Sequence, residues 1–131
     1  MLGLGKSRAK ERLRAVNLRT GLSIAESVEV SDTAIARMRG LIGRDSLKKG
    51  YAIWLSPCNW VHTIGMRFPI DIIYLGRGVR GLNGAKVVAL KEAVPKNTIT
   101  LPVLRAVSVL ELPQGSIKDL DIRVGDRIEI S

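Results

Sequence analysis

Apolar and polar positions alternate along most of this chain with the two-residue period of β-strands. Val16 and Leu18, then Leu22 and Ile24, alternate with polar neighbours on either side of Arg19-Thr20-Gly21. That pattern predicts a hairpin with glycine in its short loop, and Val28 and Val30 extend its second strand. The period then changes. Ser31 or Asp32 is placed to cap a helix on which Ile35, Met38, Leu41 and Ile42 share one face, with Gly43 as the stop. Strands are predicted again at Tyr51 to Leu55, Pro69 to Leu75 and Lys86 to Ala93, the last two joined by a glycine-rich loop. Pro57 to Phe68 follows neither period. A long strand is expected at Val103 to Leu112. Pro113-Gln114-Gly115 then turns the chain, Ser116 caps a short helical turn, and Gly125-Asp126 introduces a closing strand at Arg127 to Ile130. Seven short strands with one long helix predict a mainly β (β-rich α+β) fold. Its form would be a small, mostly antiparallel barrel or sandwich with the helix closing one end. A doubly wound sheet would need a helix between successive strands, and most connections are too short.

At 131 residues the chain supports one core and not two. Residues 16–131 are expected to form a single domain behind a basic arm at 1–15. With 46% apolar and 25% charged residues the composition is that of a folding chain. No apolar run reaches membrane-spanning length, and charges stand where a signal peptide would need its apolar stretch, so neither insertion nor export is expected. The single Cys58 excludes an intrachain disulfide and fits a cytoplasmic location. The net charge of +9 is uneven: Lys6, Arg8, Lys10, Arg12, Arg14 and Arg19 against Glu11 give residues 1–19 a charge of +5. Residues 6–19 are thus a candidate for weak nucleic-acid binding. A solvated terminus has the same composition, and only 4% of residues are aromatic and able to stack on bases.

Two motifs fail on context. Gly76-Arg77-Gly78-Val79-Arg80-Gly81 spells a dinucleotide fingerprint, but Asn83-Gly84 leads into a strand and not into the helix whose N-terminus would face pyrophosphate. Gly5-Lys6-Ser7 resembles the tail of a P-loop without the strand or first glycine that would cradle a phosphate.

Chemistry concentrates between Ser56 and Asp71, which holds the only His, the only Cys and a carboxylate in an apolar strand. Cys58 and His62 have the residue types of a thiolate–imidazolium pair, and His62 with Asp71 those of a general base with its orienting acid. A buried thiol, a structural histidine and an aspartate that holds backbone N–H groups would look the same in sequence. Cys58, His62, Asp71 and Glu111 suit zinc by type but lack paired ligand spacing, so neither a metal nor another cofactor is expected. Trp54, Trp60 and Phe68 are either pocket walls or core. Arg37 and Arg44 share a helix face that could hold an anion, or they could pair with the domain's own Asp71, Glu111 or Asp126.

Four blocks occur in order: Arg37-x-x-Gly40-Leu41-x-x-Arg44; His62-Thr63-x-x-Met66-x-x-Pro69-Ile70-Asp71; Val109-Leu110-Glu111-Leu112 with Gly115; and Gly125-Asp126. Together they resemble the domain-of-unknown-function 192 family over residues 16–131. The resemblance implies one small, barrel-like, mostly β domain with no established activity. Two features depart from it. Val61-His62-Thr63 stands where many members have aromatic-Met-x-Asn-Thr, and the loop from Gly76 to Ala85 is longer than a tight turn. The expectation is therefore a non-catalytic module that binds an unknown small ligand or a protein near residues 58–71. Arg37, Arg44, Trp60, His62, Thr63, Met66, Asp71 and Glu111 are its candidate contacts. A hydrolase or transferase using His62 with Asp71 or Cys58, and a nucleic-acid-associated protein using the arm, are the alternatives.

Overall fold

The computed structural model describes residues 13–31 and 45–131. The expected helix after Ser31, with Arg37 and Arg44, and most of the basic arm lie outside the described residues. Seven strands form a closed barrel: β1 (Leu13–Asn17), β2 (Ser23–Ser31), β3 (Tyr51–Leu55), β4 (Ile70–Leu75), β5 (Ala85–Val94), β6 (Ser108–Pro113) and β7 (Arg127–Ile130). The order around the barrel is β1-β2-β3-β6-β4-β5-β7, with β7 pairing back to β1. A short helix, α1 (Ser116–Asp119), lies between β6 and β7 in sequence. All pairings are antiparallel except β2 with β3. A parallel pair needs a long crossover, and residues 32–50 supply it.

The predicted hairpin is present, with Val16 opposite Ser23, and β1 opens at Leu13, whose side chain is already buried. The glycine-rich segment is the β4–β5 hairpin loop, not a phosphate cradle. At its end Gly84 has φ +64°, and a Cβ there would stand 2.7 Å from the Ile128 carbonyl oxygen of β7. Only a residue without a side chain lets the two backbones come so close.

Two expectations need correction. The long strand from Val103 is absent over its first half, because residues 103–107 leave the sheet. The Val103 N–H donates to the Asn59 carbonyl (2.9 Å), and the Ala106 N–H donates to the Val103 carbonyl (3.0 Å) in a turn. Their apolar side chains look like a strand in sequence but serve as a cover: Ala106 is buried against the barrel, while Leu104 is in solvent. Nor does Ser116 cap α1. Gly115, at φ +93°, occupies the cap position without a side-chain bond, and the Ser116 hydroxyl donates to the Pro113 carbonyl (2.6 Å). The N–H of Ile117 is instead capped from β4 by Asp71 (2.9 Å).

The central sheet β3-β6-β4 is buried on both faces. Trp54, Leu110 and Ile73 stand side by side and point into the barrel, where they join Leu13, Val28, Val87, Ile117 and Ile128. Their neighbours Leu55, Val109 and Tyr74 point outward, as do Ile53, Glu111 and Ile72, into a second core completed by Val61, Met66, Ala106 and Val94. This explains the nearly continuous apolar sequence of these strands, since alternation disappears when both faces are covered. Among the described residues no helix is long and apolar enough to cross a membrane.

Candidate functional site

The cover of the outer face consists of two segments, 56–69 and 95–107, laced together by backbone and side-chain bonds. The N–H of Thr63 donates to the Thr98 carbonyl (2.8 Å) and that of Thr100 to the Val61 carbonyl (2.9 Å), and His62 bridges Ile99. Thr63 is fully buried. Its hydroxyl donates to the Pro95 carbonyl (2.6 Å) and accepts from the Thr98 N–H (2.8 Å), while Thr100 does the same for both backbone groups of Val61. Residues 57–68 have no period because they are a strap held by specific bonds and not by a ladder.

Where this strap approaches β3 and β6 it leaves a cavity of about 710 Å³. Leu55, Val61, Ala106 and Val107 give it apolar walls, and Cys58, Asn59, Trp60, His62 and Glu111 bring polar groups to it. Size and lining are those of a small-molecule site. Glu111 is the unusual member. It is only 6% exposed, and among the described residues neither a hydrogen bond nor a cation meets its carboxyl group. Burial pushes its pKa up to about 8, so that it is mostly protonated at neutral pH and offers an O–H donor as well as an acceptor. Burial likewise raises the Tyr74 phenol, with Cys58 and Glu111 adding to the effect through charge. The Cys58 thiol donates to the Trp60 carbonyl (2.9 Å). The Trp60 and His62 rings lie 6.1 Å apart at 43°, and His62 Nδ1 is buried without a partner among the described residues.

Four of the residues singled out from sequence thus meet at one cavity: Cys58, Trp60, His62 and Glu111. Thr63 and Met66 lie nearby but are buried in the cover. Asp71 points the other way, into the barrel end. One carboxylate oxygen accepts the N–H of Ala93 (2.8 Å) and the other that of Ile117, so that Asp71 ties β5 and α1 to β4. Neither Asp71 nor Glu111 takes part in a buried arginine network among the described residues. Asp126 does hold an arginine, but it is Arg19 (2.6 Å), with Asn17 and the Arg123 N–H as further donors. Burial would raise the Asp126 pKa, and these bonds outweigh it and hold the carboxyl below its usual range. Among the described residues no three of His, Cys, Asp and Glu are gathered so as to hold a metal ion. Trp54 is core and not pocket wall. Leu55, Asn59, Val61, Ala106 and Val107 carry no chemical signature, and only their pairing across the fold could have revealed them.

A small closed barrel whose central sheet is covered on its outer side, with a cavity under the cover, defines the class of this protein. The chain belongs to the domain-of-unknown-function 192 family (DUF192, uncharacterized ACR), whose pattern it matches over residues 16–130. Two solved structures share the fold. A protein of unknown function from Novosphingobium aromaticivorans is 21% identical, with a TM-score of 0.72 over 90% of this chain and 83% of that one. A candidate transcription regulator from Sinorhizobium meliloti is 22% identical, with a TM-score of 0.74 over 95% of this chain and 96% of that one. No curated protein matches the sequence.

Proposed function

We propose that this domain is a non-catalytic binding module for a small, uncharged and largely apolar ligand, seated between the strap and β6. The carrying observation is the wall of the cavity, where Glu111, only 6% exposed, meets His62, whose Nδ1 is buried without a partner among the described residues. A buried polar group that the protein leaves unsatisfied costs stability, and a ligand carbonyl or N–H would satisfy it. Trp60 and His62 offer ring faces beside Glu111, and the apolar walls supply the remaining burial.

The catalytic alternative draws little support from Asp71, whose two oxygens are already committed to backbone N–H groups away from His62. The nucleic-acid alternative loses two of its cations to internal pairs, Arg14 with Glu26 and Arg19 with Asp126. A cytoplasmic location is part of the proposal and rests on the lone Cys58.

A ligand-observed NMR screen of neutral heteroaromatic fragments tests this reading. Hits should shift the Trp60 indole and His62 ring resonances, and Val107→Trp, which fills the cavity from a partly exposed position, should abolish them. Fragments that leave both resonances in place, or bind the filled variant equally well, refute it.

A further inference from the structure

The outward side of the strap has a character of its own. Where residues 59–63 and 98–103 are bonded to each other, Val61, Thr63 and Thr100 are buried toward the barrel. Trp60, Ile99 and Leu101 face solvent, and Ile64 and Leu104 continue the same apolar display at the two turns. Leu104 is 90% exposed and Leu101 77%, while Trp60, at 44%, stands at the rim where the cavity opens. Single exposed apolar residues are ordinary; five on two hydrogen-bonded segments are not.

Charge supplies the second observation. Residues 56–69 and 95–107 contain no Asp or Glu, and they carry Arg67, Lys96 and Arg105. Arg67 pairs with the exposed Asp45, whereas Lys96 and Arg105 are exposed and meet no carboxylate among the described residues. The whole chain is +9. An apolar surface fringed by unpaired cations on a basic protein matches a partner that is apolar beneath and anionic at its surface.

We propose that this face docks on an anionic lipid bilayer, with Leu101 and Leu104 entering the acyl boundary, Trp60 at the headgroup level and Lys96 and Arg105 against lipid phosphates. The composition favours a bilayer over a protein partner. Protein hot spots are led by Trp, Tyr and Arg with leucine under-represented, and here exposed aliphatic side chains outnumber aromatic ones. The docking is peripheral and needs no spanning segment. It is independent of the ligand reading above.

Sedimentation with vesicles tests it, using equal parts phosphatidylglycerol and phosphatidylcholine against phosphatidylcholine alone. The full chain should bind the anionic vesicles, less so with added salt, and its fluorescence should shift to the blue. Trp54 is buried in the core, so that shift reports Trp60. The double substitution Leu101→Ser with Leu104→Ser should weaken partitioning by at least roughly tenfold, and Lys96→Glu with Arg105→Glu should weaken the preference for anionic lipid. All four positions are exposed, so unchanged thermal melting will confirm the folds. Absence of vesicle binding overturns the proposal, as does binding that the leucine substitutions leave intact, since that assigns it to the arm. Wild-type self-association abolished by the same leucine substitutions would also overturn it, because a second copy would then cover the face.

Discussion

Replacing Glu111 with glutamine perturbs the cavity wall without changing its shape, and the expected effect depends on pH in a defined way. In the unfolded chain the carboxyl group titrates near its ordinary 4.5; in the folded protein it does so at about 8. Between those values the folded state holds a proton that the unfolded state releases, so stability falls as pH rises. Below 4.5 both states are protonated, and above 8 neither is, so the curve is flat at both ends. At about 1.4 kcal/mol per pH unit, the folded protein should lose on the order of 3–4 kcal/mol between about pH 5 and 8 through this group alone. Glu111→Gln removes the titration and leaves every other group in place. Urea unfolding of both proteins across this range isolates the effect, because the remaining groups contribute equally and cancel in the difference. The variant should match the wild type within about 1 kcal/mol near pH 5 and exceed it by several near pH 8. Parallel curves would refute the reasoning and would mean that the folded protein solvates Glu111 or pairs it with a cation.

Asp71→Asn should destabilise by about 2–3 kcal/mol at neutral pH, since an amide N–H₂ would then face a backbone N–H of Ala93 or Ile117. Urea unfolding measures this, and the cavity resonances of Trp60 and His62 should stay in place; a change at those rings would contradict the separation of the two sites. Gly84→Ala should cost about 2 kcal/mol or more, because its Cβ meets the Ile128 carbonyl at 2.7 Å and its φ is positive. A melting temperature equal to that of the wild type would show that β7 is free to withdraw from the loop.

How much of this was legible in sequence depended on whether the determining interactions were local. β3 and β7 fall where the pattern placed them, and β4 and β5 within a residue, because each is a short apolar run bounded by turn residues. Residues 103–107 misled because an apolar run is the same signal whether it enters a sheet or covers one. Only the bond from Val103 to Asn59, far away in sequence, distinguishes the two. The parallel pairing of β2 with β3 had no local signature either. At the site, residue type drew attention to Cys58, His62 and Glu111, while Asp71 lies only one position from the outward-facing Ile70 and Ile72. The alternation of a strand sends it to the opposite face. That face was unreadable until the register of β4 against β6 was known.

The position of β7 bears on how the molecule is made. This strand pairs on one side with β1 and on the other with β5, so it seals both seams at once. During synthesis everything up to α1 emerges from the ribosome while the partners of β7 still carry unpaired N–H and carbonyl groups along their rims. Until Arg127–Ile130 arrives, the nascent chain is a curved ribbon with two adhesive margins and an interior open to water. Crowded nascent copies would be most prone to join during that interval, and a chaperone engaging those margins would have its useful moment there.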